Sequence, residues 1–157
     1  MTNKISPPPN FLIDRYKKWK SSEYLKNEVK FRKLASSGQS PSTIVISCCD
    51  SRIHATSIFG ADEGEFFIHR NIANIVPPYS QDGINYGTSA AIEYAIKELK
   101  VNHLIILGHN DCGGIKYGHK LYSDSANSNY EFINKWLSIY FCLHIKKFKK
   151  MFQNKNK

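Results

Sequence analysis

Thr43-Ile44-Val45-Ile46-Ser47-Cys48-Cys49-Asp50-Ser51-Arg52 decides the fold of this chain. It opens as a short β-branched apolar run, which is a strand signal. It closes on cysteines and charged side chains. His109, 61 residues after Cys48, belongs to a second stretch of the same design. There Leu104-Ile105-Ile106-Leu107 runs into Gly108-His109-Asn110-Asp111-Cys112-Gly113-Gly114. In both stretches polar chemistry begins where a buried strand ends, and open α/β sheets place their sites outside the carboxyl ends of strands.

Working outward, Phe66–His69 reads as another strand, preceded by the turn-like Asp62-Glu63-Gly64. Ser89–Leu99 reads as a helix, with Ala91, Tyr94, Ala95 and Leu99 expected to face inward. The strands are expected at Thr43–Ser47, Phe66–His69 and His103–Leu107. Their alternation with helices predicts an α/β fold: a central, mainly parallel sheet flanked by helices and joined by right-handed crossovers.

Residues 1–10 form a Pro-rich lead. Residues 11–37 read as one or two amphipathic helices, an N-terminal helical arm in which Phe11, Leu12, Tyr16, Trp19, Tyr24, Leu25, Val29, Phe31 and Leu34 recur near helical spacing. One domain is expected over 11–137, with a basic tail over 138–157. Leu137, Ile139, Phe141, Leu143 and Ile145 alternate as in a strand, although the same residues also read as a helix continuing from Phe132.

A length of 157 residues fits one domain, and an apolar fraction of 41% supplies a core. No run of 18 apolar residues occurs, so no membrane partner is expected. The N-terminus lacks the apolar stretch of a secretory signal, and a cytoplasmic location is expected. The four cysteines fit that compartment, where thiols stay reduced. The net charge of +9 raises the question of nucleic acid. Lys17, Lys18, Lys20, Lys26 and Lys30 are instead dispersed among apolar and acidic residues, as on a solvated face. No nucleic-acid partner is expected.

Cys48, His109 and Cys112 offer two thiolates and an imidazole, a set that suits one tetrahedral Zn²⁺ per subunit and leaves a fourth position open. A closed four-ligand site would need another donor, and Cys49 is the nearest. It adjoins Cys48 and points the other way in extended backbone. Asp50 and Arg52, two apart, project to the same side, so a carboxylate and a guanidinium pair beside the ligands. Gly113-Gly114 lets backbone approach the ligand loop and opens a helix N-terminus that favours anions. His54, His69, His103, His119 and His144 lie at no metal-ligand spacing from one another.

Cys48-x-Asp50-Ser51-Arg52 with Gly108-His109-x-x-Cys112-Gly113-Gly114 resembles the β-class carbonic anhydrases. So do Gly38-Gln39-Ser40-Pro41, Phe67 through Pro78, and Gly87 through Ala95. The resemblance covers about residues 30 to 118, with a weaker echo at Trp136-Leu137. Val45 stands where one subfamily carries a tryptophan, so the chain looks like the plant-type subfamily.

The resemblance implies a zinc lyase that interconverts CO₂ and bicarbonate through a zinc-bound hydroxide. Asp50 then accepts a hydrogen bond from the zinc-bound water, oriented by Arg52, or in some relatives ligates the zinc itself. Gln39, Phe67, Ile72 and Tyr94 become candidate lining residues for CO₂, with Gly113 beside them. It also implies a homodimer or higher homo-oligomer, paired through the N-terminal helices. Relatives continue after Trp136-Leu137 into further strands for which this chain has no equivalent, so the C-terminal edge strands are expected to be missing. Two other readings remain: a truncated, non-catalytic zinc-binding homologue, and a CS₂ or COS hydrolase using the same zinc.

Overall fold

A computed structural model describes residues 6–79, 86–123 and 129–140. It divides into two compact units, residues 1–39 and 40–157.

In the N-terminal unit, α1 (Asn10–Trp19) passes through a π-helical turn at Lys20–Tyr24 and is followed by α2 (Glu28–Ser37). Neither α-helix buries a residue fully. The unit is held by an aromatic cluster. Trp19 lies between Tyr16 and Tyr24, and Tyr24 stacks on Phe31 with ring centroids 5.4 Å apart. Glu28 and Arg32 pair one helical turn apart on α2. Gly38, at φ 77°, ends that helix in a conformation that favours glycine.

Among the described residues, the second unit is built on a parallel three-stranded sheet in the order β2-β1-β3, formed by β1 (Thr43–Cys48), β2 (Phe66–Asn71) and β3 (His103–Leu107). A parallel central strand is covered on both faces, so it reads as a continuous apolar run. All six residues of β1 are buried, as Ile44-Val45-Ile46 requires. Val45 pairs with Ile68 on one side and Ile105 on the other. The short α3 (Ala55–Phe59) lies between β1 and β2, and α4 (Tyr86–Lys97) between β2 and β3. α5 (Gly113–Ser123) follows β3, and a further helix, α6, spans 131–140.

Two cores result. One joins Ile44 and Ile46 to Ala95 of α4, with Phe67, Val76, Ile92 and Val101 packed around them. The other joins Cys48, Ala73, Ile75, Cys112 and Leu137. The expected helix facing needs correction at one position. Ala95 is buried, but Tyr94 is 49% exposed, and Ile92 fills the inward place. Ile92 and Ala95 are three apart and share a helix face, whereas Tyr94 leans outward over Phe67.

The alternation from Leu137 does not give a strand through residue 140. The backbone there is helical, and Leu137 is buried by packing in the second core. Residues 141–145 lie outside the described residues, as do Cys142 and His144.

Candidate metal centre

Ser47 pairs with Leu107, so β1 and β3 release their chains side by side. Cys48 is the last residue of β1 and is buried, while Cys49 is exposed. Adjacent residues of a strand project to opposite faces, and only Cys48 turns inward. His109 follows Leu107 by two residues. Cys112 is buried, and its carbonyl accepts the Lys116 N–H, so the first turn of α5 begins on it.

The sulfurs of Cys48 and Cys112 lie 3.8 Å apart. One ligand atom from each of Cys48, His109 and Cys112 lies within 4.8 Å of the others. His109 Nδ1 is 2.9 Å from the Asn110 carbonyl, an arrangement that places the ring proton on Nδ1. Nε2 then carries a lone pair, and it is buried with no hydrogen-bond partner. A buried acceptor left unpaired is costly, so such an atom needs an explanation. Two sulfurs and one imidazole nitrogen, with that nitrogen unsatisfied, fit a tetrahedral metal ion with one position left open.

The surroundings hold these donors in place. Burial pushes the Cys48 thiol up, but hydrogen bonds to its sulfur, from the backbone N–H groups of Asp50 and Ala73 and the Cys112 thiol among others, outweigh it and bring it down. A lowered thiol pKa favours the thiolate, the form that binds metal. Ala73 and Asn74 adopt φ of 63° and 45°, an uncommon region for residues other than glycine. Asn71 holds that turn from within: Oδ1 accepts the Ile75 N–H and Nδ2 donates to the Ile75 carbonyl, both at 2.8 Å. Trp136 Nε1 donates to the Ile72 carbonyl at 2.8 Å. Gly114 approaches the same turn so closely that a Cβ there would lie 2.8 Å from Ile72 Cγ2 and 3.0 Å from Ala73 Cβ.

Asp50 and Arg52 form the expected pair. Arg52 Nε donates to Oδ1 at 2.9 Å and Nη2 to Oδ2 at 2.8 Å, while the Arg52 backbone N–H also reaches Oδ1. The Arg52 side chain and backbone hold the Asp50 carboxyl well below the usual carboxylate range, so it is ionised at neutral pH. Arg52 Nη2 also donates to the Asp111 carbonyl, tying the two motif loops together. Asp50 Oδ2 lies 4.0 Å from His109 Nε2, beside the donors and bound to arginine.

A cavity of about 440 Å³ opens next to His109 and Cys112, walled largely by Ile75, Ile106, Ile115, Ile139 and Tyr140. Phe67, Ile72, Tyr94 and Gly113 are not among its lining residues. Phe67 packs in the α4 core with Tyr94 against it, and Ile72 sits on the turn beside Gly114. Gln39 is the last residue of the N-terminal unit. His69 is half-buried, bonded through Nε2 to Thr88 Oγ1, and burial lowers its pKa. His54, His103 and His119 are exposed.

The sequence profile described as carbonic anhydrase matches residues 43–157. The chain belongs to the carbonic anhydrase family, in its β class. It is 40% identical over 121 residues to "Beta carbonic anhydrase 3" of Arabidopsis thaliana, an alignment covering 77% of this chain and 46% of the relative. It is 41% identical over 105 residues to "Carbonic anhydrase" of Emericella nidulans, covering 67% of this chain and 43% of the relative. The chain therefore spans a little under half the length of these curated relatives.

Among solved structures, the β-carbonic anhydrase CcaA superposes with a TM-score of 0.77 at 32% identity, covering 85% of this chain and 57% of that one. A tetrameric β-carbonic anhydrase of Sordaria macrospora gives a TM-score of 0.73 at 33% identity, covering 90% of this chain and 66% of that one. The parallel sheet and flanking helices are thus those of the β-class carbonic anhydrases.

Sequence reasoning missed two contributors to the site. Arg70 bonds the carbonyls of Cys48 and Asp50. Its signal was a charge in a β2 run otherwise rich in aromatic and apolar residues. Ala73 directs its N–H at the Cys48 sulfur from a left-handed backbone. An alanine there carries no sequence signal for that conformation.

Proposed function

We propose that this chain carries the zinc site of a carbonic anhydrase, interconverting CO₂ with bicarbonate and a proton. The observation that carries the reading is the convergence of Cys48, His109 and Cys112 within 4.8 Å, with the Arg52-bound carboxylate of Asp50 4.0 Å from His109 Nε2. Cys48, His109 and Cys112 would hold one zinc ion. A zinc ion bound there supplies Lewis acidity, lowering the pKa of water towards about 7.

The chain's own residues do the rest. Asp50, kept ionised, would offer Oδ2, 4.0 Å from His109 Nε2, as a hydrogen-bond acceptor beside the ligand set. Arg52 occupies both Asp50 oxygens, so the carboxylate is restrained from turning onto the donors. The His109 proton rests on Nδ1 against the Asn110 carbonyl, which fixes the ring so that Nε2 faces the sulfurs. The apolar wall of Ile75, Ile106 and Ile115 suits a small apolar substrate. Gln39, Phe67, Ile72, Tyr94 and Gly113 keep their proposed substrate-facing role on family resemblance alone.

A homo-oligomer is part of the proposal, supported by the tetrameric relatives of Sordaria macrospora. So is a cytoplasmic location, supported by Cys48 and Cys112 standing as a metal-ligand set, a use of cysteine that fits a reducing compartment. Among the described residues, no helix is long and apolar enough to cross a membrane.

Stopped-flow CO₂ hydration by the zinc-loaded chain, beside Cys48→Ser, tests the activity. Turnover above buffer that disappears in the variant is expected. A zinc-containing chain that hydrates CO₂ no faster than buffer would overturn the catalytic reading and favour a non-catalytic zinc protein.

A further inference from the structure

Arg70 sits on β2, in register with Ser47 of β1, one residue short of where the ligand Cys48 pairs with Asn71. The ladder extends one step further, because the Cys49 N–H donates to the Asn71 carbonyl at 3.0 Å. Beyond that step the chain leaves the sheet and turns through Asp50, whose carbonyl accepts the Ile53 N–H. Nothing in strand geometry fixes this turn relative to β1.

The partly buried Arg70 side chain spans the gap. Nε donates to the Cys48 carbonyl at 3.0 Å and Nη2 to the Asp50 carbonyl at 2.8 Å. One planar group thus bonds the backbone of a ligand and the backbone of the carboxylate beside it.

We propose that Arg70 is a positioning residue of the metal centre, clamping the turn from Cys48 to Asp50 so that the ligand sulfur and the neighbouring carboxylate keep fixed relative places. The clamp also acts on the sulfur's surroundings. The clamped segment runs directly from the ligand Cys48 to Asp50, whose carboxylate lies 4.0 Å from His109 Nε2. Arginine suits the task because its donors diverge in a rigid fork, whereas lysine offers one mobile point charge. Arg70 touches no donor atom directly, so it acts through backbone, as the outer hydrogen bonds of metal sites do.

The inference rests on Cys48 being a metal ligand, and the test separates the two claims. The full-length chain, Arg70→Met and Arg70→Lys are each titrated with Co²⁺. Three properties are read: the thiolate-to-cobalt charge-transfer bands, the visible bands and the affinity. A structural contribution alone would lower thermal stability and leave the spectrum of the folded fraction unchanged. The clamp predicts displaced charge-transfer bands in both variants, with Co²⁺ affinity down about 10- to 100-fold in Arg70→Met. Ethylguanidinium added to Arg70→Met should recover part of that loss. If Arg70→Met does not fold, Arg70→Lys decides by the same bands. Parent-like bands and affinity in the folded variants would overturn the clamp and leave the ligand assignment standing. A parent chain that binds Co²⁺ without thiolate bands would overturn the ligand assignment, and the clamp with it.

Discussion

The ends of β1 and β3 deliver donors to one site, yet they are supported very differently. β1 is central, and all its residues are buried. Its exit is fixed from β2 by Arg70 and Asn71, and at the turn by the Asp50–Arg52 pair. β3 borders the sheet among the described residues, with Leu104 43% and Ile106 52% exposed. Its exit is tied to the Asp50 loop by the bond from Arg52 to the Asp111 carbonyl, and to the β2 turn by the close approach of Gly114. The contrast teaches that Cys48 is positioned by the fold, while His109 and Cys112 depend more on what binds between the loops.

The largest expected effect comes from removing a donor on either side. Cys48→Ser and Cys112→Ser should each abolish tight zinc binding, measured by zinc retained after dialysis against a chelator. Equal losses mean that the two halves act as one site. Retention by either variant would break the convergence on which the comparison rests.

Next come the strands themselves. Ile44→Ala removes a fully buried side chain and should cost about 2–5 kcal/mol by urea denaturation. Leu104→Ala should cost about 1 kcal/mol or less, since half-exposed positions lose little. A Leu104→Ala cost as large as that of Ile44→Ala would mean that β3 is covered, and the contrast would collapse.

A smaller effect is expected where the two halves touch. Gly114→Ala must push Ile72 and the Ala73 Cβ aside, and overpacking of this kind costs about 1–3 kcal/mol. Because Ala73 adjoins the Cys48 sulfur, zinc should also dissociate faster, which a colorimetric chelator follows directly. Unchanged stability and release would show that the loops tolerate the shift.

The smallest effect concerns pH. Arg52 holds the Asp50 carboxyl below its ordinary value of about 3.9. A depressed folded-state pKa contributes stability that is present above the unfolded value and lost as pH falls towards the folded one. Arg52→Met should therefore flatten the stability-versus-pH curve below about pH 4 and change its slope little near pH 7. A parent and variant with parallel acid limbs would contradict the pairing.

Much of this was legible in sequence because it depends on local pattern. Ile44-Val45-Ile46 and Leu104 through Leu107 announced strands, and ligand types placed just beyond them announced a site. Side-chain direction was less legible. Tyr94 reads as inward on helical spacing, yet Ile92 takes that place because Phe67 offers Tyr94 a partner at the rim. Leu137 through Ile145 carried two periodicities, and packing against the ligand core selects the helix as far as residue 140. The Arg70 bonds were invisible because they join residues 20 and 22 positions apart through backbone carbonyls, which no side-chain pattern records.

The central claim is that Cys48, His109 and Cys112 together hold one metal ion. X-ray absorption at the zinc edge of the zinc-loaded chain tests it most directly. The account predicts two sulfur neighbours at about 2.3 Å and lighter neighbours at about 2.0–2.1 Å, and no such two-sulfur shell in Cys112→Ser. Zinc surrounded only by nitrogen and oxygen, or a sulfur shell unchanged in that variant, would contradict it.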